Sequence, residues 1–202
     1  MRQVTAAELP GGADLAWGSF PCQDLSLAGV GGGMSGERSG AFYPFWDVMG
    51  ALRANGRAPR LIALENVCGT LTSHGRRDFQ AIGQTFDENG YRFGALVINA
   101  GLFVPQSRPR LFLIGVREDV AIDSALVAPG PVAPFHTTSL RRAAEALPGP
   151  VRDRLVWRNL PTPERRARCF ADEIEEKPHQ HDLAQAGGNP PAVVADVAAE
   201  PG

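Results

Sequence analysis

Cysteine is scarce in this chain, and its scarcity excludes two ways of building a protein. The 202 residues hold Cys22, Cys68 and Cys169, odd in number and without CxxC or Cys/His ligand spacing. Neither a disulfide framework nor a structural zinc is expected. Histidine does not change this: His74 falls in an expected loop, and His179 and His181 stand too close together for a convincing metal site, so no metal is expected. Long apolar runs are also missing. The longest, such as residues 60–67 and 111–116, fall far short of the roughly 20 residues a membrane span needs. No charged-then-apolar leader follows Met1, so a cytoplasmic protein is expected. Charge of one sign is lacking too, with 20 basic against 22 acidic residues and a formal net charge of −2. That excludes a global attraction to nucleic acid and leaves room only for a local basic patch. What remains is a chain with 44% hydrophobic residues, long enough for one domain with a real core.

Periodicity orders that core. Residues 13–20, ADLAWGSF, form a short apolar run ending before Pro21, as a buried strand would. The next segment carries six glycines between Gly29 and Gly40, too many for a stable helix or strand, and reads as a long mobile loop. Residues 41–54 place Phe42, Phe45, Trp46, Met49 and Leu52 at three- and four-residue spacings, with Pro44 in the first turn of the predicted helix. RLIALENV (60–67) predicts a second strand. Phe79, Ile82 and Phe86 share a face of a second helix that Gly90 stops. Residues 91–104 and 110–117 predict two more strands joined by PQSRP, too short for a crossover helix, so they should be antiparallel neighbours. The fold class is α/β: a partial Rossmann-like sheet of parallel strands with an antiparallel edge hairpin and functional loops at the strands' carboxyl ends. Residues 1–120 would form this half-domain. Residues 121–183 read as linker with short helices such as 139–147 and 163–176, and residues 184–202 as a disordered tail.

Three polar stretches fall at expected strand ends: Pro21-Cys22-Gln23, Glu65-Asn66-Val67, and Gln106 to Arg110 with Arg108 between. In this order they resemble the PCQ, ENV and QxRxR motifs of the cytosine-5 DNA methyltransferases, and the similarity is dense from about Ala13 to Arg117. The resemblance implies methyl transfer from S-adenosylmethionine to C5 of a cytosine flipped out of double-stranded DNA. C5 is a poor nucleophile, and a thiolate adding at C6 turns the ring into an enamine that attacks an electrophilic methyl group. Cys22 is the implied nucleophile. Glu65 would share a proton at N3, Arg110 would bind O2, and Arg108 would hold the site and a nearby phosphate. Pro21, Gln23, Asn66, Val67 and Gln106 are the further implied substrate contacts. The glycine loop would close over the base, with Arg38 on a backbone phosphate.

Each of these residues also has an ordinary reading: an inert buried thiol for Cys22, a capping or ion-paired carboxylate for Glu65, solvated loop charges for the arginines. Cys68 reads as structural. The sequence departs from the family pattern ahead of Cys22, where a glycine-containing strand-turn motif and acidic residues that bind S-adenosylmethionine are expected and not found. No target-recognition region is evident downstream. Two expectations follow: a chain that needs a second polypeptide carrying the cofactor half, or an inactive remnant with weak DNA binding.

Overall fold

A computed structural model describes residues 4–9, 11–20 and 42–163. The expectations placed on Pro21, Cys22, Gln23, Arg38, the glycine loop and the tail lie outside them. Contacts divide the chain into two compact units, residues 1–166 and 167–202; the second lies outside the described residues.

Four strands form one mixed sheet in the order β1-β2-β4-β3. They are β1 (Leu15–Ser19), β2 (Leu61–Val67), β3 (Tyr91–Asn99) and β4 (Pro109–Arg117). The first two are parallel, with Ser19 opposite Glu65. Strand β4 is antiparallel to both its neighbours, with Val67 opposite Arg110 in β2 and Asn99 opposite Pro109 in β3. The hairpin expected from the short PQSRP connection is therefore present. Its second strand lies inside the sheet and its first at the edge. The predicted third strand is shorter than its apolar run, because the chain turns into a 3-10 helix at Ala100–Leu102.

Alternation decides what each face does. Ile62, Leu64, Leu111, Leu113, Phe93 and Tyr91 turn to the face covered by α1 (Phe42–Ala54) and α2 (Arg77–Glu88), and all are nearly inaccessible. The helices present the predicted stripes, Phe42, Trp46, Met49 and Leu52 from α1 and Phe79, Ile82 and Phe86 from α2. Gly90, at φ 78°, ends the second helix as expected. Aromatic packing is the main content of this layer: Phe86 stacks on Phe93 at 5.6 Å and meets Trp46 edge-on at 5.1 Å.

Residues 121–163 wrap the outer edge of β3. Val97 N–H donates to Phe135 C=O, and Val156 N–H donates to Phe93 C=O, so two backbone groups of that edge are paired. Helices α3 (Thr138–Glu145) and α4 (Gly149–Asp153) bury Leu140, Ala143 and Val151. Gln80 Nε2 donates to Ala146 C=O at 2.6 Å, tying this layer to α2. The chain then passes beneath Gly94, where a β-carbon would lie 2.2 Å from Val156 O, so only glycine lets the two backbones approach.

The opposite edge is different. Among the described residues β1 pairs only with β2, and on the face away from the helices Leu15, Trp17 and Leu61 are 50%, 58% and 37% exposed. No helix among the described residues is long and apolar enough to cross a membrane.

Candidate functional site

Glu65 stands near the carboxyl end of β2, one position before Asn66. The pleat sends the two side chains to opposite faces. Asn66 turns inward, is 4% exposed, and its Oδ1 accepts the N–H of Val67 at 2.7 Å. Glu65 turns away from the helices, onto the face shared with Ser19, Val67, Phe112 and Arg110. Strand β4 brings Arg110 up beside it, and Arg110 Nε lies 2.9 Å from Glu65 Oε1. The two side chains are 25% and 22% exposed, accessible to a ligand yet shielded enough for the charges to matter. Ser19 Oγ donates to the other carboxylate oxygen, Oε2, at 2.5 Å. Both oxygens of Glu65 are thus held, from strands on either side.

The loop from β3 to β4 has its own organiser, one the sequence reading passed over. Asn99 Oδ1 accepts from Gly101 N–H at 3.0 Å and from Arg108 N–H at 2.8 Å, and its Nδ2 donates to Ser107 Oγ at 3.1 Å. Ala100 N–H donates to Arg108 C=O at 3.1 Å. One amide side chain therefore closes the loop that carries Gln106 and Arg108, both exposed, and delivers Arg110 to the start of β4. Asn99→Ala is expected to lower stability by about 1 kcal/mol, the usual cost of losing such a cap. Faster amide exchange at Gly101 and Arg108 is the measurement that checks it.

Beyond Val67 the chain makes two 3-10 turns with His74 and Arg76 in left-handed backbone, at φ 46° and 74°. Buried Asp78 holds this turn: its Oδ2 accepts from Ser73 Oγ at 2.6 Å and lies 2.9 Å from His74 Nδ1. Cys68, a free thiol next to the site, is pushed up in pKa by burial, with the Arg110 charge as the opposing pull. Burial thus favours its protonated thiol over the thiolate, the reactive form. Among the described residues no group of His, Cys, Asp and Glu has the makings of a metal site.

The structure thus brings Glu65, Val67 and Arg110 together, sets Gln106 and Arg108 on the exposed loop leading to them, and turns Asn66 to the other face. Ser19 and Asn99 are the polar residues that sequence reading missed. The family model for C-5 cytosine-specific DNA methylase matches residues 1–186. The chain belongs to that family. Among curated relatives, it is 36% identical over 111 residues to the type II methyltransferase M.NgoFVII of Neisseria gonorrhoeae, covering 54% of this chain and 28% of that protein. It is 34% identical over 108 residues to the orphan methyltransferase M.Rho11sI of Bacillus phage rho11s, covering 53% and 20%. With the type II methyltransferase M.Sau96I of Staphylococcus aureus the figures are 26% over 136 residues, 67% and 30%. The chain spans less than a third of the length of these methyltransferases. Among solved structures, the S. pombe Dnmt2 methyltransferase is similar with a TM-score of 0.44 at 21% identity, over 59% of this chain and 35% of that one.

Proposed function

We propose that this chain is the catalytic half of a cytosine-5 DNA methyltransferase of the restriction-modification kind, acting in the cytoplasm on a cytosine flipped from double-stranded DNA. The observation that carries the reading is the convergence of motif residues. Glu65 and Arg110, distant in sequence, form an ion pair at one end of the sheet, and β1, which Ser19 ends beside Glu65, leads within three residues to Cys22.

Chemistry assigns the roles. The Cys22 thiolate adds to C6 of the base, forming a C–S bond while the C5–C6 electron pair moves toward C5 and charge builds on N3 and O2. Glu65 faces N3 and shares a proton there. Arg110 donates to O2, and Arg108 on the exposed loop meets a phosphate, as Arg38 does from its own segment. Pro21, Gln23, Val67 and Gln106 are the further proposed substrate contacts, and Asn66, on the other face, holds the N–H of Val67. Once C5 is substituted, loss of its proton re-forms the double bond and expels the thiolate.

S-adenosylmethionine supplies the electrophilic methyl group in this reading. The described residues do not fit a site for it. A cavity of about 370 Å³ opens at the amino ends of β1 and β2, about 13 Å of strand from Glu65. Its wall is chiefly aliphatic, with Leu61, Ile114, Val116, Ile122 and Leu126, the wrong end and the wrong chemistry for a methyl donor serving C5. A second polypeptide is the proposed source of the cofactor half. The free edge of β1 beside exposed Leu15 and Trp17 is where an added strand would join.

The test uses the chain with its complementing polypeptide, S-adenosylmethionine and duplex DNA carrying 5-fluorocytosine. Fluorine cannot leave as a proton does, so the C–S bond persists. Peptide mass spectrometry is expected to place the adduct on Cys22. An assembly that methylates ordinary DNA and forms no adduct would overturn the mechanism.

A further inference from the structure

Glu65 is held from two sides, and the side opposite Arg110 belongs to none of the motif residues. Ser19 sits directly across from Glu65 in the parallel ladder, on the same face. Its hydroxyl is reached from the paired backbone through a single rotatable torsion, so few directions are open to it. A lysine or glutamine here would have several torsions to lose before it met the carboxylate. Ser19 Oγ donates to Glu65 Oε2, and a hydroxyl donating to a carboxylate makes a charge-assisted bond. Arg110 Nε takes Oε1 at 2.9 Å, and Arg110 is itself anchored by Nη1 donating to Pro109 C=O at 3.0 Å. Either partner alone leaves the carboxylate free to rotate about its last torsion. The two together fix its plane.

Resting on the methyltransferase reading above, we propose that Ser19 is the positioning residue for Glu65. Its hydroxyl and the Arg110 guanidinium clamp the carboxylate from both neighbouring strands, so that it meets the base edge in one orientation. The hydroxyl spends its single proton on Glu65 and keeps its lone pairs for accepting. A donor group on the base, such as an exocyclic amine, can therefore reach Ser19 without breaking the clamp. Ser19 also ends β1 and stands three residues before Cys22 in the sequence.

The first arm of the test needs no activity. In the nitrogen-15-labelled chain, the Nε–Hε signal of Arg110, assigned by its loss in Arg110→Lys, is expected to stand apart from those of solvated arginines. In Ser19→Ala it moves toward them by more than half that separation. In Ser19→Thr, which restores the hydroxyl, it returns, while the amide signals of α2 and the melting temperature stay as they were. In the assembly that transfers methyl groups, Ser19→Ala is expected to lower kcat by about ten- to a hundredfold, the range for losing one hydrogen bond to a charged group. The KM for DNA stays within about twofold, since a clamp on the reacting carboxylate acts on the transition state. Ser19→Thr recovers most of the rate. An Arg110 signal indifferent to Ser19→Ala, or a threonine variant that fails to restore it, would overturn the clamp. An unchanged kcat would overturn its role. Methyl transfer that survives loss of Cys22 would sink the methyltransferase reading instead, leaving the clamp as geometry.

Discussion

Replacing Cys22 by serine is expected to remove methyl transfer from an assembly that otherwise methylates DNA, by a factor on the order of 10⁶, the scale seen when a covalent nucleophile is deleted. The sulfur differs from oxygen in two ways that act together. A thiol gives a usable fraction of thiolate near neutral pH and is intrinsically a strong nucleophile, whereas a serine hydroxyl ionises far above that range. Without addition at C6 there is no enamine, and C5 stays as inert as it is in free cytosine. Glu65→Gln is expected to lower the rate less, by roughly 10²–10⁴-fold, because the amide keeps the shape but cannot carry the proton, and its nitrogen cannot accept as the second carboxylate oxygen does. Cys68→Ser is the contrast that makes the result specific. Cys68 lies near Arg110, yet burial raises its pKa, and its replacement is expected to leave the rate unchanged. The measurement is methyl incorporated per chain under single-turnover conditions. A serine variant at position 22 with more than a trace of the parent rate would remove Cys22 from the mechanism.

Much of this site could be read in the sequence, because strands and helices write their periods there. The apolar stripes of α1 and α2, the strand leading to Glu65 and the short connection between β3 and β4 all follow from spacing and from glycine and proline. The Glu65–Arg110 pair was foreseen only as one alternative for a strand-end carboxylate. The contact depends on β4 entering between β2 and β3, and no local pattern encodes that order. Ser19 was unreadable for the same reason, since its importance comes from lying opposite Glu65, a matter of register. Asn99 was hidden inside a continuous apolar run. Its amide ends the strand by capturing Gly101 and Arg108, so a side-chain hydrogen bond overrides strand propensity there. Residues 121–163 bury Phe135, Leu140 and Val151 through contacts with β3 and its surroundings; the helix at Thr138–Glu145 falls where residues 139–147 predict one, while proline and glycine around it hide the rest.

Gly115→Ala is expected to destabilise the chain sharply, and Phe86→Ala is expected to relieve it. Phe86 is fully buried, stacked on Phe93 with an interplanar angle of 6° and bounded edge-on by Trp46 and Tyr91. Its ring lies over Gly115 of β4, where a β-carbon would come within 2.4 Å of one ring carbon and 2.6 Å of the next. Real side-chain carbons do not approach so closely, and Phe86 cannot swing aside because three other rings confine it. The added methyl therefore costs about 1–3 kcal/mol or more, as overpacking does. Phe86→Ala alone costs about 3–5 kcal/mol, the usual result of emptying an aromatic site in a close-packed core. In the double variant the methyl group enters space the ring has left, so most of its penalty disappears and Tyr91 Cβ, at 3.3 Å, is the close neighbour that remains. The sum of the single losses then exceeds the double loss by about 1–3 kcal/mol, a coupling expected only of groups in contact. Urea midpoints for the four proteins of the cycle give the number, with Phe86→Leu in place of alanine if that variant is too unstable to measure. Strictly additive losses would show that Gly115 is not kept small by Phe86, and the packing described for this layer would be wrong.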